Sequence, residues 1–132
     1  MNNYLENLNE EQKLPVLHKD GPLIVIAGAG SGKTRVLTYR IIHLINEGVD
    51  PFNILALTFT NKAALEMKNR ISLITSESVS RNIWMGTFHS IFARILRSEA
   101  PLIGYPTNFT IYDTYDSEKL ISNIIKLSLI HI

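Results

Sequence analysis

Leu23-Ile24-Val25-Ile26-Ala27-Gly28-Ala29-Gly30-Ser31-Gly32-Lys33-Thr34-Arg35 is the stretch on which the reading of this chain turns. Five apolar residues in a row, Leu23 to Ala27, are what a strand covered on both faces of a parallel sheet requires. Gly28, Gly30 and Gly32 then let backbone N–H groups converge on an anion that a Cβ would obstruct. Beyond them Leu37, Ile41, Leu44 and Ile45 recur at helical spacing, and Gly48 ends the pattern. Strand, glycine-rich turn and helix in this order are the context in which Ala27 to Thr34 reads as a phosphate-binding loop, with Ala27 in place of the usual first glycine. The helix N-terminus adds its dipole. Lys33 is spaced to reach β- and γ-phosphates, and the Thr34 hydroxyl to ligate Mg²⁺. Ala27, Gly28, Ala29, Gly30, Ser31, Gly32, Lys33 and Thr34 are therefore nucleotide-binding candidates, with Lys33 and Thr34 the catalytic pair. A chance glycine-rich turn is the alternative, and the loop alone does not choose among kinases, transporters, GTPases and nucleic-acid motors.

Working outward, Asn9 to Leu17 reads as a short helix interrupted at Pro15, and Asp20-Gly21-Pro22 as a turn. Ile54 to Thr58 is a second strand, followed by a helix striped by Ala63, Ala64, Met67 and Ile71. A polar, serine-rich loop from Thr75 to Asn82 leads to a third strand near Ile83-Trp84-Met85. Phe88, Ile91, Phe92, Ile95 and Leu96 then mark a helix. Strand and helix alternating three times predict an α/β domain with a parallel sheet and flanking helices. Pro101, Gly104 and Pro106 mark a loop, Phe109 to Tyr112 a short strand, and Asp116 the cap of a last helix. There are no internal repeats.

Composition narrows the class. With 132 residues, 45% apolar and 19% charged, the chain is globular and about one domain long. The absence of cysteine excludes a disulfide scaffold and a thiolate zinc site. No apolar run reaches the roughly 18 residues of a membrane span, and Met1-Asn2-Asn3-Tyr4-Leu5-Glu6 lacks the layout of a signal peptide. The expectation is a soluble cytoplasmic protein with no membrane partner. A net charge of +1 makes no case for a polyanion, but its distribution does. Residues 55–97 hold six basic and two acidic side chains, a local excess of +4, and the remainder carries −3. Solvated helix faces produce such an excess too.

Four motifs in order give a sharper answer. Leu8-Asn9-Glu10-Glu11-Gln12, Ala27 to Arg35, Leu57-Thr58-Phe59-Thr60-Asn61-Lys62-Ala63-Ala64 and Gly86-Thr87-Phe88-His89-Ser90 resemble, in order and spacing, the UvrD/Rep/PcrA group of superfamily 1 DNA helicases, from about Tyr4 to Lys126. The resemblance implies a P-loop NTPase (RecA-like) fold, ATP and Mg²⁺ as cofactors, and single-stranded and duplex DNA as partners. By it, Gln12 belongs to a Q motif whose amide reads the adenine edge, since an amide offers both donor and acceptor. Arg35 stacks its planar guanidinium on the adenine. By residue type alone these are a solvated glutamine and a surface arginine.

Thr58, Phe59, Thr60, Asn61 and Lys62 are similar to motif Ia, and Thr87, Phe88 and His89 to motif Ib, both at carboxyl ends of strands, where ligands of open α/β sheets collect. Hydroxyl and amide groups there would bond a DNA backbone while Phe59 offers a stacking face. Without the resemblance, Phe59 reads as core and His89 as a helix-start histidine.

Phe109-Thr110-Ile111-Tyr112-Asp113 imitates a Walker B strand, but Thr114 stands where the helicases carry glutamate, so Asp113 reads as a structural or capping residue. The resemblance places residues 1–113 in the N-terminal part of helicase domain 1A and 114–126 at the start of the inserted domain 1B. The catalytic acid, the arginine fingers and the second motor domain would lie outside these residues, so the chain alone should bind nucleotide weakly and hydrolyse it hardly at all. Leu127-Ser128-Leu129-Ile130-His131-Ile132 breaks the stripe of Leu120, Ile121, Ile124 and Ile125. The hexapeptide is also the translation of CTG-TCT-CTT-ATA-CAC-ATC, the end of a common transposase sequencing adapter, and residues 127–132 are expected to be such an artefact. The expected function is an ATP-dependent 3′–5′ DNA helicase of repair or replication, with a loading partner the sequence does not identify. The alternatives are the start of a helicase–nuclease subunit and a stand-alone nucleotide- or DNA-binding module.

Overall fold

β1 (Leu55–Thr58) and β2 (Trp84–Thr87) pair in parallel, with Leu55, Ala56, Leu57 and Thr58 opposite Trp84, Met85, Gly86 and Thr87. Parallel neighbours need a crossover, supplied here by α3 (Asn61–Ile74) and α4 (Glu77–Asn82). The computed structural model describes residues 4–130, with the side chain of Ile130 left aside. α1 (Glu10–Leu17) and α2 (Lys33–Asn46) precede this unit; α5 (Phe88–Glu99) and α6 (Thr114–Ile130) follow it. Contacts divide the chain into two compact parts between Ala93 and Arg94, and each is described by itself.

In the first part, α3 lies against both strands and against α2. Ile41 and Ile42 of α2, Ile54, Ala56 of β1, Met67 and Ile71 of α3, and Ile83 form one buried cluster. Leu8, Val16 and Val36 form a second, joining the start of the chain to α1 and α2. The helices start where the sequence caps them: Thr60 accepts the Ala63 N–H at 3.1 Å and Ser76 the Val79 N–H at 3.3 Å, each satisfying one donor of a first turn. Gly86 is required by packing. A Cβ there would stand 2.8 Å from Ser90 Oγ and 3.1 Å from Ile91 Cγ1, so both side chains would have to give way for α5 to lie this close to β2.

In the second part, the Arg97 guanidinium lies 5.3 Å from the centre of the Phe109 ring and donates to the Thr107 carbonyl at 3.5 Å. Asp113 Oδ1 accepts the Asp116 N–H at 2.8 Å, so Asp113 caps α6, as its structural reading expects. Asp116 itself lies inside the helix, because the cap is the residue whose side chain reaches forward three positions. α6 continues through Leu127–Ile130, with Leu127 and Leu129 exposed; a helical backbone hydrogen-bonds to itself whichever face its side chains fall on. His131 and Ile132 of the hexapeptide lie outside the described residues.

Four further expectations need correction. Leu23 to Ala27 is no buried strand: Ile24 is 86% and Ile26 95% exposed, and residues 22–28 join no ladder. A strand is defined by its neighbours, and β1 and β2 pair only with each other. Phe109 to Tyr112 likewise forms no strand, for want of a partner. Pro15 does not interrupt the first helix but sits inside it, and the chain leaves helical geometry three residues later at His18. The loop from Thr75 to Asn82 contains α4, nucleated by Ser76 as cap and an Arg81–Glu77 ion pair one turn apart.

Candidate functional site

The segment 28–34 is built from backbone. Gly30 (φ +77°) and Gly32 (φ +87°) take left-handed conformations that L-residues avoid, and Gly32 is the cap of α2, followed directly by Lys33. No side chain caps this helix. A Cβ built on Gly28 or Gly30 meets nothing within 4 Å, so this backbone lies open. Ser31 closes the turn, its hydroxyl donating to the Gly28 carbonyl at 2.7 Å. The Lys33 ammonium donates to the carbonyls of Ala27 at 2.8 Å and Gly28 at 2.7 Å, tying the first residue of α2 to the entrance of the loop. Thr34 is exposed, and its backbone carbonyl accepts the buried Thr38 hydroxyl at 2.8 Å.

α1 packs on α2 and brings Gln12 to this loop. Asn9 Oδ1 accepts the Gln12 N–H at 2.8 Å and Gln12 Oε1 accepts the Asn9 N–H at 3.3 Å, a reciprocal capping box. The Gln12 amide nitrogen also donates to the Ser31 carbonyl at 3.2 Å. Gln12 is thus neither free nor merely solvated. Arg35 donates to the Asn7 carbonyl at 2.6 Å, its guanidinium 5.8 Å from the Tyr39 ring centre. The structure therefore brings Gln12 to residues 27–34 and the adjacent Arg35, from which it is distant in sequence.

The second group stands at the carboxyl ends of the strands. Thr58 and Thr87 are the last register pair of the sheet. The Thr58 hydroxyl donates to Thr60 O at 3.0 Å, and Thr60 caps α3, leaving Asn61 and Lys62 exposed in its first turn. Phe59 is 94% exposed, which overturns the core reading of that ring. Thr87 donates to Ser90 Oγ at 3.0 Å, while the Ser90 hydroxyl returns to Thr87 O at 3.0 Å. Phe88 stacks obliquely on Phe92 with ring centres 6.2 Å apart, and His89 is exposed beside it.

Sequence reading missed two contributors. The Asn9-x-x-Gln12 box has a legible signature. Arg40 has a weaker one, a basic residue four positions after Val36 on the apolar stripe of α2; its Nη1 donates to the carbonyls of Pro15, at 2.7 Å, and His18.

Among the described residues no group of three or more His, Cys, Asp or Glu could hold a metal, and no helix is long and apolar enough to cross a membrane.

Comparison with known proteins gives the family. The UvrD/REP helicase N-terminal domain family matches residues 8–131, and the chain belongs to that family. It is 52% identical over 127 residues to the ATP-dependent DNA helicase PcrA of Staphylococcus epidermidis and 50% identical to the PcrA of Staphylococcus aureus. Each match covers 96% of this chain but only 17% of the relative, so the chain spans about 17% of the length of the curated relatives it matches.

Proposed function

We propose that this chain carries the nucleotide grip and part of the DNA track of an ATP-dependent DNA helicase that moves 3′ to 5′ on single-stranded DNA and unwinds duplex in repair or replication. The observation that carries the reading is Lys33 at the first position of α2, directly after two left-handed glycines and beside an open backbone. The family narrows a general phosphate site to this class of motor. In this reading residues 1–113 belong to a RecA-like domain and 114–126 begin an inserted one.

The residues fit a magnesium nucleotide. The turn is open at Gly28 and Gly30, the α2 amides carry no side-chain cap, and Thr34 offers an exposed hydroxyl, the hard oxygen donor Mg²⁺ prefers when phosphates and water complete its shell. Bound Mg²⁺ would neutralise phosphate charge as it develops. The chain's own part is positioning. The loop amides orient the phosphates, and the Lys33 ammonium exchanges the Ala27 and Gly28 carbonyls for phosphate oxygens. Gln12 and Arg35 hold the base. Thr58, Thr60, Asn61, Lys62, Thr87 and His89 bond the DNA backbone at the strand ends, with Phe59 and Phe88 as stacking faces.

Lys33→Ala in the whole protein that the gene encodes tests this. ATP hydrolysis and unwinding should fall to background while single-stranded DNA binding without nucleotide persists. Unwinding that survives the substitution would refute the role given to the loop.

A further inference from the structure

We propose that Arg40 is a positioning residue for the base pocket: its guanidinium fixes where α1, and with it the Gln12 amide, stands against the phosphate loop. The proposal rests on the reading of Gln12 as a base contact.

The argument begins with the weakness of α1. A helix of eight residues is marginal by itself, and Pro15 inside it has no N–H to give to Glu11. Its first turn is secured by the box between Asn9 and Gln12. Its last carbonyls have no partner within the helix, and they carry the negative end of the helix dipole. One guanidinium nitrogen of Arg40 donates to one of them, Pro15 O at 2.7 Å, and to the carbonyl of His18 just past the helix end.

Packing alone does not set the register. Val16 of α1 is buried with Leu8 and Val36, but apolar contact is non-directional and tolerates sliding. The half-buried Arg40 supplies direction. It stands on the helix that Lys33 opens, and both line one cavity of about 320 Å³ together with Pro15 and Val36. Gln12 precedes Pro15 by less than one turn, and its amide lies 3.2 Å from Ser31 O. A shift of α1 at its Arg40 anchor therefore carries Gln12 off the loop, leaving Lys33 and Thr34 on α2 where they were.

That asymmetry gives the test. In the whole protein, steady-state ATP and GTP hydrolysis with saturating single-stranded DNA is compared for the parent, Arg40→Ala, Arg40→Lys, Gln12→Ala and the double alanine variant. Arg40→Ala should raise KM for ATP about tenfold with kcat held within about twofold, and should erase the preference for ATP over GTP as Gln12→Ala does. Arg40→Lys should restore most of that preference, and serves as the readout if the alanine protein does not fold. The double variant should be no worse than Gln12→Ala alone, since residues acting through one another do not add. An Arg40 variant that lowers kcat for both nucleotides equally, or whose defect multiplies with that of Gln12→Ala, overturns the assignment. If Gln12→Ala loses the preference while both Arg40 variants keep it, the Arg40 role fails alone. If Gln12→Ala keeps it, the reading of Gln12 fails and this proposal falls with it.

Discussion

A Cβ on Gly32 would stand 2.9 Å from the amide nitrogen of Gln12. Two residues 20 positions apart are therefore fitted to each other, one by lacking a side chain and the other by extending one. Gly32→Ala adds two costs, a left-handed backbone for an L-residue, on the order of 1–2 kcal/mol, and displacement of the amide from Ser31 O. Denaturant unfolding should show the protein destabilised by at least the first. In a Gln12→Ala background the same substitution should cost less, because the atom it strikes is gone. Equal costs in both backgrounds would show that the two residues do not meet.

Met67 and Leu73 lie on the same helix and make opposite predictions. Met67 is 1% exposed between the sheet and α2, and Leu73 is 86% exposed. Met67→Ala should cost about 2–5 kcal/mol through lost burial and the cavity left behind. Leu73→Ala should stay within about 0.5 kcal/mol of the parent. Urea midpoints at constant slope distinguish the two; similar shifts would mean that α3 does not present this face to the core.

Lys19 and Glu47 form an exposed ion pair. The hydrogen bond and charge of Lys19 hold the Glu47 carboxyl below its ordinary range, and those of Glu47 hold the Lys19 ammonium above its own. For Glu47 the contribution to stability is complete above the ordinary carboxylate value and is lost as pH falls through the lowered one. For Lys19 it is complete below the ordinary lysine value and is lost as pH rises through the raised one. Carbon-detected titration of Glu47 should show the depression, and Lys19→Ala or high salt should abolish it. A Glu47 titration indifferent to Lys19 would contradict the pairing.

How far the sequence carried depended on what each feature needs. α2 and α3 were legible because their stripes, Ile41 with Leu44 and Ile45, and Met67 with Ile71, report burial against a neighbour that is present. The ends of β1 and β2 were legible too; because the strands run parallel, both carboxyl ends lie at one edge of the sheet, where the observed register sets Thr58 beside Thr87. Phe59 went the other way: its type said core, the resemblance implied a stacking face at a strand end, and the ring is exposed. The contact of Arg40 with two carbonyls had no clear signal, since main-chain acceptors exist at every position and only the fold selects among them. Nor did residue types show that Gln12 serves its own helix cap and the loop together.

The run from Leu23 to Ile26 has one more consequence. The segment 28–34 leaves into a helix locked by a buried core, but it is entered from a segment with no sheet neighbour among the described residues. Such a loop is moored at one side only. On the proposed reading, its grip on a phosphate would be set less by residues 27–34 themselves than by any backbone paired alongside Ile24 and Ile26, and nucleotide affinity would gauge that pairing.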